Sequence, residues 1–267
     1  MYEQYYGLSE KPFNLTPDTE FFYQSVTHGE ALEVLQVALH SGDGFIKVTG
    51  EVGTGKTMLC RKLLDALDSG FDTIYIPNPF MNSDALFSAV LQELNAGDAN
   101  SREEPLNLIN QCLIENARDG RSTVILLDEA QAIPDESMEA IRLLSNLETG
   151  KRKLVQIVLF GQPELDTRLA QDNLRQLRQR FMHHYQLQPL SREAIDCYLQ
   201  HRIRSAGYKG PNLFDRDALS RLYRFSQGVP RLINVLCNKA MMLSYANGDF
   251  YVNSKHVEAA AIDSQLQ

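Results

Sequence analysis

Eight residues, GEVGTGKT from Gly50 to Thr57, restrict what this chain can fold into more than any other feature. They match G-x-x-x-x-G-K-[ST] and lie between a short apolar run of strand character, FIKVT (45–49), and a run of helical spacing, MLCRKLLDAL (58–67). Glycines at such spacing let the backbone curl so that successive N–H groups face one anion, and the start of the following helix adds partial positive charge. The cradle expected from this pattern comprises Gly50, Glu51, Val52, Gly53, Thr54, Gly55, Lys56, Thr57 and Met58. Lys56 is placed to reach the β- and γ-phosphates of a nucleotide, and the Thr57 hydroxyl to ligate Mg²⁺.

Such a loop needs a sheet behind it, and the rest of the first two thirds of the chain supplies one. TIYI (73–76), TVILLD (123–128), LVQIVLF (154–160) and HYQLQ (184–188) read as further strands. Helical patterns fall over 83–94 and 105–117, with Gly97 to Ser101 as the break, and a helix opened by Pro134 is expected to run to Gly150. TVILLD is almost continuously apolar, as a strand covered on both faces must be. Strands alternating with helices call for an α/β fold, a mostly parallel sheet sandwiched by helices. From Ser191 onward the pattern is helical only, so the domains expected are an N-terminal aromatic and proline-rich arm (1–26), an α/β core (27–189) and a helical lid (190–267). Thr27 followed by Glu30 has the pattern of a capping box for the first core helix.

The polar residues at strand ends form a second constellation. Asp128 and Glu129 stand at the C-terminal end of a buried strand, the edge where open α/β sheets place ligands. Asp128 is suited to holding Mg²⁺, and Glu129 to orienting and deprotonating an attacking water. Gln162 follows the next strand, where it could contact the γ-phosphate or the water, or cap the helix after it. Asn78 ends the second strand and could hydrogen-bond Glu129, or serve as an ordinary turn residue before Pro79. Arg180 directly precedes Phe181, and Arg231 follows Gly228-Val229-Pro230 at the start of a lid helix, a position from which it could touch phosphate.

A formal net charge of -8 disfavours indiscriminate binding to nucleic acid, although Arg61-Lys62 and Lys151-Arg152-Lys153 make local basic patches. Cys60, Cys112, Cys197 and Cys237 form no C-x-x-C pair and suggest free thiols in a reducing compartment. The opening MYEQYYGLSEKPF has neither a basic nor an apolar signal region, and the apolar runs are strand-sized. The expectation is a cytoplasmic protein without a transmembrane segment, with peripheral attachment to a membrane left open.

GEVGTGKT (50–57), VILLDEAQ (124–131), FGQPEL (160–165), LRQRF (177–181) and GVPRLIN (228–234), taken in that order, resemble the AAA+ ATPases, specifically the ExeA/GspA-like branch. The opening YYGLSEKPFNLTPDTEFFYQSVTHGEAL (5–32) is similar to pilus-biogenesis members of that branch. The resemblance implies a P-loop NTPase core of three αβα layers with a five-stranded parallel sheet in the order 5-1-4-3-2 and a C-terminal helical lid. It implies ATP and Mg²⁺ as ligands, Walker A at Gly50, Gly55, Lys56 and Thr57, and Walker B at Asp128 and Glu129. It further implies sensor 1 at Gln162, where Asn or Thr is commoner, a trans-acting arginine finger at Arg180 and sensor 2 at Arg231. Ring-like homo-oligomers, commonly hexamers, are the implied active form, working with pilus or secretion machinery at the inner membrane. Secretion members carry a membrane helix and a peptidoglycan-binding domain after the ATPase; with neither before Gln267, the expected role is exercised from the cytoplasmic side through another protein. Two alternatives stand beside an assembly ATPase: a DNA-binding ATPase of the transposition-regulator type, and a nucleotide-dependent scaffold with little turnover.

Overall fold

The computed structural model describes residues 2–95, 104–150 and 153–266. The expected break at Gly97 to Ser101, and Lys151 and Arg152 of the basic run, lie outside the described residues. In chain order the elements are α1 (Tyr2–Tyr6), α2 (Val26–Ser41), β1 (Phe45–Gly50), α3 (Lys56–Ala66), β2 (Phe71–Ile76), α4 (Ser83–Glu93), α5 (Pro105–Arg118), β3 (Ser122–Leu127), α6 (Asp135–Leu144), β4 (Val155–Gly161), α7 (Glu164–Leu169), α8 (Arg175–Arg178), β5 (His183–Leu187), α9 (Ala194–Ser205), α10 (Arg216–Ser226), α11 (Pro230–Asn247) and α12 (Ser254–Asp263). They fall into two compact units: a sheet unit of His28–Glu51 and Leu59–Leu187, and a helical unit of Met1–Thr27, Val52–Met58 and Gln188–Gln267.

In the sheet unit all strands run parallel in the order β2-β3-β4-β1-β5, the αβα arrangement of P-loop NTPases. Strand periodicity sorts the apolar side chains to two faces. Ile125 and Leu127 of β3 and Ile157 and Leu159 of β4 point into one core with α4, α5, α6, α7 and α8. Val124, Leu126, Val158 and Phe160 point into the other, against Leu35 and Leu39 of α2 and Leu59 and Leu63 of α3. Burial on both faces is why these strands read as nearly unbroken apolar runs.

Two boundaries differ from expectation. α6 stops at Leu144 rather than Gly150, because Leu147 turns the chain back: the N–H of Leu154 donates to the Leu147 carbonyl at 3.0 Å, and Glu148 forms an antiparallel bridge with Lys153. α2 begins at Val26, so Thr27 lies inside it, and the Glu30 carboxylate accepts from the Tyr185 hydroxyl at 2.7 Å.

The helical unit is built around a core to which both chain ends contribute. Tyr2, Tyr6, Phe13 and Phe21 from the N-terminal arm are buried with Ile195, Leu199, Leu222, Ile233 and Leu236. The arm's rings are anchored at their polar ends as well: Tyr2 Oη donates to Asn238 at 2.8 Å and Tyr6 Oη to the Met241 carbonyl at 3.3 Å. Arg202, buried in α9, donates to the carbonyls of Pro12 (2.7 Å) and Asn14 (3.1 Å) and lies over the Phe21 ring at 4.8 Å. No helix among the described residues is long and apolar enough to cross a membrane.

Truncating the Arg202 contacts would leave two carbonyls of the arm unsatisfied. Arg202→Met should lower the unfolding free energy by roughly 2–4 kcal/mol, about the worth of two charge-assisted bonds, and expose the arm to limited proteolysis; urea titration and cleavage rate measure the two effects.

Candidate functional site

The sheet order brings three strand ends to one edge of the sheet unit. Register pairs Thr49 of β1 with Gly161 of β4, and Leu127 of β3 with Leu159 of β4. The residues leaving those strands are therefore Gly50 and Glu51 from β1, Asp128 and Glu129 from β3, and Gln162 from β4. Parallel strands all end their carboxyl sides here, which is why the acids and the start of the phosphate loop share an edge.

Asp128 is almost fully buried, and its backbone N–H donates to the Ile76 carbonyl at 3.0 Å, extending the β2 to β3 ladder by one bond. Its Oδ1 accepts from the Glu129 N–H at 2.9 Å. Cys60 of α3 and Tyr75 of β2 register its charge: burial first, then the Asp128 carboxylate, pushes the Cys60 thiol up, and burial, then Cys60 and Asp128, pushes the Tyr75 phenol up to about 12.

Glu129 adopts a left-handed backbone, φ 52 and ψ 39, a conformation costing an L-residue roughly 1–2 kcal/mol. Its Oε2 accepts from Gln131 Nε2 at 2.6 Å and from Gln162 Nε2 at 3.2 Å. Gln131 Oε1 in turn accepts from the Gln162 backbone N–H at 3.0 Å. The strained turn is tied down from below, where Arg168 of α7 donates to the Gln131 carbonyl at 2.7 Å and to Asp135 at 2.6 Å. Gln162, expected to meet phosphate or water, meets Glu129. Gln131 was not singled out from sequence; the signal for it is an amide two residues after an acid at a strand end, which only the turn geometry makes meaningful. Asn78 Oδ1 accepts from the Phe80 N–H at 3.3 Å, an Asx-type turn. Arg180 is half-buried and donates to the Ser145 carbonyl at 3.2 Å and to Asn146 Oδ1, at the carbonyl-rich end of α6.

The helical unit contains the remainder of the loop. Gly53 and Gly55 have φ +83 and +99, values that L side chains resist. Thr54 and Lys56 are buried, Thr57 is half-buried, and α3 starts at Lys56, so the loop ends in a helix N-terminus. Over this loop lies the Gly228 to Arg231 turn. The Arg231 N–H donates to the Gly53 carbonyl at 3.2 Å, and the Leu190 N–H donates to the Gly228 carbonyl at 2.9 Å. A Cβ on Gly53 would come within 2.6 Å of Arg231 Cβ. Arg231 is exposed. In each unit the residue types fit a magnesium nucleotide, with loop amides, a lysine and a threonine hydroxyl in one and a strand-end aspartate in the other, since Mg²⁺ favours hard oxygen ligands and keeps part of its shell on phosphate.

Residues 39–169 match the family described as AAA domain. Three-dimensional likeness extends over nearly the whole chain. Cdc6p from Pyrobaculum aerophilum superposes with TM-score 0.71 at 16% identity, covering 94% of this chain and 70% of that one. The RuvB Holliday junction branch migration motor of Thermotoga maritima gives 0.58 at 15% identity, covering 91% and 72%. These likenesses show the fold. Fold and strand-edge arrangement together are those of a P-loop NTPase core with the AAA+ architecture. In sequence the chain is similar to general secretion pathway protein A of Aeromonas hydrophila, 42% identical over 265 residues, a match covering 98% of this chain. The chain spans about half, 48%, of that relative's length.

Because Gly53 combines a left-handed backbone with close packing against Arg231, Gly53→Ala should cost roughly 1–3 kcal/mol. Calorimetry should show the lower unfolding temperature, and nucleotide titration a weaker affinity.

Proposed function

We propose that this chain binds Mg·ATP and hydrolyses it to drive or regulate assembly of a type IV pilus of the MSHA kind, or of a related envelope or secretion machine. The observation that carries the enzymatic part is the β3 end, where a buried aspartate is followed by a glutamate held in a strained turn with its carboxylate fixed by amides. A merely solvated acidic turn has no use for that strain or that fixation. The relationship to general secretion pathway protein A supports a role in an envelope machine, and the similarity of the opening residues to pilus-biogenesis ATPases narrows it to a pilus.

In this reading the amides of Gly50 to Met58 and the Lys56 ammonium hold the phosphates, while Thr57 and Asp128 hold the metal. Magnesium, when bound, supplies charge neutralisation on the phosphate oxygens. Glu129 takes the proton of the attacking water. Arg231, its backbone already on the Gly53 carbonyl, senses the bound phosphates. Arg180 serves the neighbouring protomer of a homo-oligomeric ring, exchanging its Ser145 and Asn146 partners for phosphate. The protein works on the cytoplasmic face of the inner membrane.

Lys56→Ala should abolish nucleotide binding and turnover, whereas Glu129→Gln should bind ATP normally and lose about 10²- to 10⁴-fold in kcat, the usual worth of a general base. Fluorescent-nucleotide titration and phosphate release measure both; unaltered affinity and rate in folded Lys56→Ala protein would overturn the reading. Specific turnover should also rise with protein concentration, and Arg180→Ala should remove that rise without weakening nucleotide binding.

A further inference from the structure

The acid and the strand ends beside it are joined through one side chain that the catalytic reading leaves unused. Gln131 has a donor and an acceptor on its terminal amide, and both are engaged at once. The Nε2 group donates to the Glu129 carboxylate at 2.6 Å, while Oε1 accepts from the backbone N–H of Gln162 at 3.0 Å. The Gln162 side chain closes the triangle on the same Glu129 oxygen at 3.2 Å. Glu129 Oε2 therefore takes both donors, and the position of that carboxylate is tied to the first backbone position beyond β4. An amide bridge that served packing alone would not need a strained acid on one side and a strand-end N–H on the other.

We propose that Gln131 is the positioning residue of the ATPase site: it fixes the rotamer of Glu129 and couples it to the end of β4, so that displacement of the Gly161 to Pro163 turn is felt as displacement of the base. The proposal rests on the reading of Glu129 as the group that activates water. Its backbone is a fixed point, because Arg168, itself paired with Asp135 of α6, holds the Gln131 carbonyl at 2.7 Å. Strain in the Glu129 backbone then has a use, since the left-handed turn is what lets residues 129 and 131 face one another across the bend.

Replacing the bridging amide by a carboxyl keeps the size of the side chain and removes its donor, so Gln131→Glu loses the bond to Glu129 that Gln131 makes at 2.6 Å.

The experiment compares wild type, Glu129→Gln, Gln131→Ala and Gln131→Glu as the full chain, with nucleotide affinity and kcat measured for each and folding checked by circular dichroism. The expected result is unchanged nucleotide affinity in both Gln131 variants, with kcat falling roughly 10- to 100-fold for Gln131→Ala, the loss that goes with a misplaced catalytic group, and at least as far for the size-matched Gln131→Glu. Wild-type kcat in Gln131→Ala, with Glu129→Gln inactive, would overturn the bridge while leaving Glu129 as the base. The same holds if Gln131→Glu keeps the wild-type kcat. Wild-type kcat in Glu129→Gln would instead remove the functional reading itself, and the bridge with it.

Discussion

The parallel pairing of β4 between β3 and β1 is the constraint on which the site depends. Five register pairs hold β1 to β4 and five hold β3 to β4, and each strand is locked from both faces by side chains that alternate between two cores. A slip of one residue in either pairing would turn Ile125, Leu127, Ile157 and Leu159 out of their core and move Asp128 and Gln162 out of step. The polar groups at the sheet edge are thereby positioned by apolar burial, not by their attraction for one another. The glutamine and glutamate contacts refine a placement that the sheet has already made.

The helical unit solves a separate problem. Its stretch of the phosphate loop contains two glycines with positive φ and little room for side chains, and the Arg231 N–H on the Gly53 carbonyl gives that loop a backbone partner of its own. The N-terminal arm is held in this unit by buried rings and by Arg202, so the segment that looks least regular in sequence is among the better anchored. Its aromatics face the core of α9, α10 and α11 and act as packing residues there.

Where sequence was informative, the reason is that a local rule decided the outcome. The Gly50 to Thr57 pattern and the unbroken apolar run before Asp128 each point to one local geometry, and together they disclosed the sheet, its covered faces and the edge where chemistry could sit. Where it was silent, long-range geometry decided. The end of α6 depends on Leu147 meeting Leu154, and nothing between Leu144 and Gly150 announces a stop. The partners of Glu129 depend on a left-handed backbone that no spacing rule assigns to a glutamate. On paper Asn78 was the residue within reach of Glu129, and Gln162 was assigned to phosphate, water or a helix cap; the turn at Phe80 engages Asn78 instead, and the β4 end carries Gln162 to the acid.

The backbone at Glu129 sets two demands against each other. Glycine or asparagine would occupy that left-handed position with less strain, so drift toward a more robust protein pulls the residue away from glutamate, and on the reading of Glu129 as the base it is selection for turnover that opposes the drift. On that same reading, a lineage that came to need nucleotide binding without turnover would register the change here first, as small residues accumulating at the end of β3 while the phosphate loop stayed intact.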